Sequence, residues 1–179
     1  MNDITPATFE LDLCLEAPSE EIDCIEISFW KDQLNVWLMI LRSRVWLPYP
    51  EQFRLASILS LSLHFVDDAA MARLNQAWRQ QDNTTDVLSF PVLGDGGIPL
   101  PTGKVIELGD IIVSVPTAVR QAANQGHDLQ QELRWLVSHG LLHLLGWEHP
   151  DEDSLAAMLR CQKYLLVSSD STQTLSSSV

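Results

Sequence analysis

His139, His143 and His149 lie within the stretch HGLLHLLGWEH and are three of the five histidines in the 179-residue chain. On an α-helix His139 and His143 are i and i+4, with Cβ atoms about 5–6 Å apart on one face, so both imidazoles can reach one ion. Gly146 can take the left-handed conformation that ends a helix and lets His149 turn back toward the same point. Three neutral nitrogens with an open fourth position form the pattern of a catalytic zinc site, so the expectation is one zinc ion per chain. The spacing also matches the zinc-protease pattern H-x-x-x-H-x-x-G-x-x-H, but Gly140 stands where a metallopeptidase carries its glutamate base. Without that carboxylate, peptide hydrolysis loses its proton acceptor. Glu148 and Asp151 flank the third histidine and could serve as acid, base or hydrogen-bond partner of an imidazole, or be solvated charges.

Other residues with chemical potential are weaker. Arg79 ends LNQAWR just before the polar loop QQDNT, where its planar fork of donors would suit a phosphate, although a helix-end arginine is also favoured by the helix dipole. Arg42, Arg44, Trp46 and Tyr49 form a basic and aromatic cluster that could stack bases or could be snorkelling arginines beside core aromatics. His64 sits in the apolar run LSLHFV and is expected to be packed and hydrogen-bonded, whereas His127, in a turn, is expected in solvent. Cys14, Cys24 and Cys161 are odd in number and lack metal-ligand spacing, as expected for reduced, buried thiols.

The elements that must position these groups can be read from periodicity. FELDLCLE, LSLSLHFVD, DVLSFPV and IELGDIIVSV read as strands. Trp30, Leu34, Trp37, Leu38, Leu41 and Val45 recur at helical steps between Phe29 and Trp46. DAAMARLNQAWR has an acidic first turn, PTAVRQAANQG begins on Pro116 and stops on glycine, and LQQELRWLVSHGLLHLLG is the most apolar helix. A last helix is expected from Asp153 to Val167. Strands and helices interleave without a regular βαβ rhythm, so the expected class is α+β: a small mixed sheet with packed helices and the histidines at the end of a central helix. Residues 1–167 suit one domain, residues 17–26 an acidic loop, and the serine-rich tail from Ser168 to Val179 a disordered end.

The start of the chain has no basic segment followed by a long apolar run, so neither a signal peptide nor a membrane span is expected, and a cytoplasmic protein is. The net charge is −13, with eight acidic and no basic side chains in residues 1–30, leaving −5 for the remainder. That balance argues against avid non-specific binding of nucleic acid and leaves room for a small basic cleft on an acidic body. The acidic segment from Glu10 to Glu26 is expected to lie away from any site that holds a phosphate chain.

HGLLHLLGWEH, together with LNQAWRQQDNTTDVLSFP and LGDIIVS, resembles the YbeY family of endoribonucleases, also called rRNA maturation factors. The resemblance runs from about Ser57 to Leu166, is weak over the first 50 residues and is absent from the serine-rich tail. The family's usual histidine segment is HGxLHLxGxDH, so Glu148 stands in place of an aspartate. The resemblance implies a small α+β protein with one zinc-like ion on His139, His143 and His149 and a functional arginine at Arg79. It also implies cleavage of single-stranded RNA, a part in 3′-end maturation of small-subunit rRNA and in ribosome quality control, and the small ribosomal subunit as partner. The chemistry would be metal-assisted phosphodiester cleavage, with attack either by metal-bound hydroxide or by the ribose 2′-hydroxyl. Two competing readings are a peptidase or other metal hydrolase, and a non-enzymatic ribosome-binding factor whose metal staples the last helix to the sheet.

Overall fold

The structure is a computed structural model that describes residues 8–17, 25–44, 49, 51–93 and 105–176. Four strands form one sheet: β1 (Glu10–Glu16), β2 (Ile58–Val66), β3 (Val87–Pro91) and β4 (Val105–Ser114), in the order β1-β2-β4-β3. The pairs β1 with β2 and β2 with β4 are parallel, and β3 closes the sheet antiparallel to β4. The sheet is therefore mixed and the class α+β, as expected. A register shift opposite Ser60 and Leu61 marks a bulge in the β2 and β4 pair.

Alternation along each strand divides the sheet into two faces. On one face Leu59, Leu61, Leu63 and Phe65 of β2 join Ile111 and Val113 of β4 in the main core. Two long helices cover that face. Helix α1 (Ile27–Ser43) contributes Trp30, Leu34, Trp37, Leu38 and Leu41. Helix α5 (Leu129–Leu144) contributes Leu133, Leu136, Val137, Leu141, Leu142 and Leu144. On the other face helix α3 (Asp68–Arg79) sets Met71 against Leu88 and Ile112 in a second, smaller cluster. Helix α4 (Val115–Gln125) begins straight from β4 with Ser114 as its cap and Pro116 in the first turn. A short helix α2 (Glu51–Leu55), not expected from the sequence, lies between α1 and β2. Among the described residues no helix is long and apolar enough to cross a membrane.

The last helix differs from expectation. Helix α6 runs Glu152–Ser176, well past the Val167 end expected from composition, and so carries into the serine-rich tail that was expected to be disordered. The continuation is held by polar contacts. Ser169 is buried and its hydroxyl accepts from Trp37 Nε1 at 3.4 Å and from Arg134 Nη2 at 2.8 Å, while Asp170 accepts from the same arginine at 2.6 Å. Serine-rich composition predicts too little apolar surface to order a segment. Here one serine, four residues after buried Leu165, supplies hydrogen bonds to two distant helices. Trp46 and Cys24, and residues 18–24 of the expected acidic loop, lie outside the described residues.

Candidate active site

The site is built on the C-terminal end of α5. Asp128 caps its first turn, accepting from the Gln131 amide at 2.7 Å, and the apolar positions press one side of the helix onto the sheet. Gly140 sits on that side. A Cβ there would lie 2.8 Å from Ile111 Cγ2 and 3.0 Å from Ser89 Oγ, so only glycine lets α5 approach β4 and β3 this closely. A glutamate at this position would run into the sheet, which explains in packing terms why the peptidase base is missing. His139 and His143 project from a neighbouring strip of the helix and are half-buried.

Gly146, at φ +87°, then turns the chain. Amides of the turn close back on α5, Gly146 onto the His143 carbonyl at 3.0 Å and Trp147 onto that of Leu142 at 3.0 Å. The Trp147 indole N–H also donates to the Tyr49 hydroxyl at 3.0 Å, and burial pushes that hydroxyl's pKa up, so it stays protonated. Held in this way, the turn brings exposed His149 back over the other two. Ligand atoms of His139, His143 and His149 all lie within 4.8 Å of one another, and the ring centroids are 4.8, 5.7 and 5.1 Å apart.

The donor chemistry fits a metal ion. The Nε2 atoms of His139 and His143 are 3.1 Å apart. His139 Nδ1 faces the Gln162 side-chain oxygen at 3.4 Å, and Gln162 is itself fixed by donating to the Trp135 carbonyl at 2.7 Å. That acceptor favours the proton on Nδ1 and leaves the Nε2 lone pair for a ligand. Burial lowers the pKa of His139, with the neighbouring His143 adding to the effect. Burial likewise lowers that of His143, helped by the His149 and Arg79 charges and opposed by Glu148 and a backbone hydrogen bond at Trp147. Both rings are thus neutral lone-pair donors near pH 7. This group could hold a metal ion.

The three histidines open into a cleft of about 670 Å³ whose walls include Arg79, Glu148, Thr85, Asp86, Ser89 and Pro91. Arg79 is the last residue of α3, exposed, and followed by Gln80 in the left-handed conformation that ends the helix. Buried Asn75 donates to the Asn83 carbonyl at 2.7 Å and Gln76 to Asp82 at 2.8 Å, tying the loop after Arg79 back onto α3. The loop then delivers Thr85 and Asp86 to the cleft wall. The Asp86 carboxylate accepts from the Val87 amide at 2.8 Å and from Gln121 at 3.0 Å, which fixes its orientation.

All five residues singled out from the sequence, Arg79, Glu148 and the three histidines, therefore line one cleft. Asp151 does not line it: its carboxylate caps α6 through Ser154. Gln162 and Asp86 were missed. Gln162 comes from a helix with no sequence link to His139, whereas Asp86 was reachable, since it opens the strand DVLSFP that follows the Arg79 loop. The two arginines of the basic and aromatic cluster make internal contacts: Arg42 is buried and donates to the Ala56 carbonyl at 3.0 Å, and Arg44 lies over the Tyr164 ring. His64 meets the expectation, half-buried and paired with Glu16 at 3.0 Å. His127 does not, because its ring is only 27% exposed and is bound to the buried Glu132 carboxylate. Cys14 is exposed and not buried, because it lies on the outward side of edge strand β1; Cys161 is half-buried, and burial raises its pKa.

Comparison with known proteins agrees with this geometry. The solution structure of TM1509 from Thermotoga maritima has the same fold, with a TM-score of 0.52 at 18% identity, covering 89% of this chain and 93% of that one. Proteins named Endoribonuclease YbeY are much nearer in sequence. One from Synechococcus sp. (strain CC9605) is 55% identical over 88% of this chain and 98% of its own length. Another, from Synechococcus sp. (strain RCC307), is 52% identical over 89% and 94%. The family model described as Endoribonuclease YbeY matches residues 39–169, a span that holds Arg79, Asp86, the three histidines, Glu148 and Gln162. With the cleft residues inside that span and relatives matching over nearly their whole length, the chain belongs to the endoribonuclease YbeY family and is an RNA-cleaving hydrolase.

Proposed function

We propose that this protein is a metal-dependent endoribonuclease specific for single-stranded RNA, with one zinc ion held by His139, His143 and His149. The observation that carries the reading is the meeting of three histidine donors with an arginine in one cleft. When bound, such an ion supplies Lewis-acid polarisation of a phosphoryl oxygen and activation of water. Arg79 presents a permanently charged fork of donors to the phosphate and offsets charge that develops on it. Glu148, exposed at the cleft margin beside His149, is the group placed to exchange protons with solvent. Asp86, held in place by two hydrogen bonds, lines the cleft and orients donors on the substrate.

The cellular role we assign is cytoplasmic: maturation of the 3′ end of small-subunit rRNA and ribosome quality control, with the small ribosomal subunit as partner. Family membership supports this role, and so does the small cleft. A protein of net charge −13 with one arginine in its cleft has little general affinity for polyanions and depends on a partner to present its RNA. The peptidase reading loses its ground, because Gly140 is sealed against the sheet and offers no base. The test is to compare trimming of a small-subunit precursor within assembled subunits and as free RNA, using the same enzyme. Faster cleavage within the particle supports the role; equal rates on any unpaired RNA contradict it.

A further inference from the structure

We infer that Trp78 is a stacking platform for one base of the RNA, set immediately outside the cleft; this rests on the reading of the cleft as the RNA site. Its indole is 68% exposed, the most exposed large apolar side chain among the described residues. Helical spacing puts Trp78 on the same side of α3 as buried Met71 and Asn75, a side that would normally be covered. β3, the strand beneath it, is the last strand of the sheet. What holds the ring is Phe90 of β3, in an edge contact with centroids 5.4 Å apart and planes at 60°.

That position is tied to the cleft through Arg79. Arg79, the next residue after Trp78, lines the cleft; Phe90 points to the α3 face of β3, opposite Ser89 and Pro91, which line the cleft, so the indole sits across this edge strand from the histidines. A strand whose phosphate meets Arg79 and that continues round the β3 edge meets the indole next. Every base has a π-face, so such a platform tolerates any sequence. It also discriminates by strandedness, because bases inside a duplex have both faces covered by their neighbours. The Trp78 and Phe90 pair thus gives a physical basis for preferring single-stranded RNA that the metal and Arg79 alone, which act on phosphate, do not provide.

The test is an abasic scan. A single-stranded RNA with one cleavage site is prepared with a single abasic nucleotide at each position in turn and cleaved by wild type, Trp78→Leu and Trp78→Phe, with His143→Ala as control. In wild type, one position near the cleavage site should raise KM about five- to tenfold when its base is removed. Trp78→Leu should raise KM by the same factor on intact RNA, leave kcat and thermal midpoint near those of wild type, and show no further penalty at that position. Trp78→Phe should stay within about twofold of wild type, since a smaller aromatic ring still stacks. An unchanged KM in Trp78→Leu, or an abasic penalty as large in Trp78→Leu as in wild type, overturns the platform. A lowered thermal midpoint with unchanged KM would assign the indole to covering Phe90 and overturns it equally. Undiminished cleavage by His143→Ala would overturn the reading of the cleft itself, and is distinguishable because it does not depend on Trp78.

Discussion

Arg79 can be removed without disturbing the fold, because its side chain is exposed and the helix it ends is closed by Gln80 and the Asn75 clamp. Arg79→Ala is expected to keep its metal and thermal midpoint while cleavage of single-stranded RNA falls by about one to two orders of magnitude, the worth of a charge-assisted bond to phosphate. Arg79→Lys should recover only part of the loss, since a point charge does not reproduce the planar fork. Side-by-side kinetics, metal content and melting of the three proteins check this, and metal loss in Arg79→Ala would make the residue structural. Gly140 behaves in the opposite way. Gly140→Ala forces a methyl to within 2.8 Å of Ile111 and is expected to cost about 1–3 kcal/mol of stability, measured by denaturant titration. A neutral result would mean that α5 does not need this close approach.

Two segments decide whether the site assembles: the turn after α5 and the far end of α6. At Gly146 nothing lies within 4 Å of a would-be Cβ, so Gly146→Ala isolates the backbone strain of a left-handed residue, about 1–2 kcal/mol. Metal affinity should fall with it, because relaxing φ moves His149 and leaves His139 and His143 in place. For α6, removal of residues 168–179 is expected to lower the thermal midpoint, since Trp37 and Arg134 lose Ser169; a truncated protein as stable as wild type would restore the expectation of an unstructured tail. The same elements show where a sequence is readable. His139 and His143 were legible because a helix brings i and i+4 together, and β1 and β2 were legible from their alternation. Helix α2, at five residues, is too short to carry a period. The extension of α6 depends on Trp37, far away in the chain, and the contribution of β3 to the cleft depends on sheet order, neither of which is a local property.

Among the described residues, the acidic groups of β1 lie away from the cleft. Strand β1, with Glu10, Asp12 and Glu16 exposed, is the edge opposite β3, whose residues line the cleft. Crosslinks from bound RNA should accordingly fall on Arg79 and the β3 side and not on β1; crosslinks concentrated on β1 would contradict the placement. Helices α3 and α4 are joined at Asp68, which begins α3 and binds Ser114 and Thr117 near the start of α4 at 2.5 and 2.8 Å, with Arg120 at 2.8 Å. The Ser114 hydrogen bond, with Thr117 and Arg120, lowers its pKa. A depressed carboxylate stabilises the fold above its unfolded pKa and loses that contribution as pH falls through the folded one. Asp68→Asn should therefore be less stable than wild type at pH 7, and the gap should close in acid. The central claim, that RNA cleavage depends on an ion held by three histidines, is tested most directly by measuring metal content and RNA turnover on one preparation as purified, stripped by chelation and reloaded. The account predicts about one ion per chain, loss of turnover on stripping, recovery on reloading, and neither ion nor turnover in His143→Ala. Full turnover by the stripped protein would contradict it.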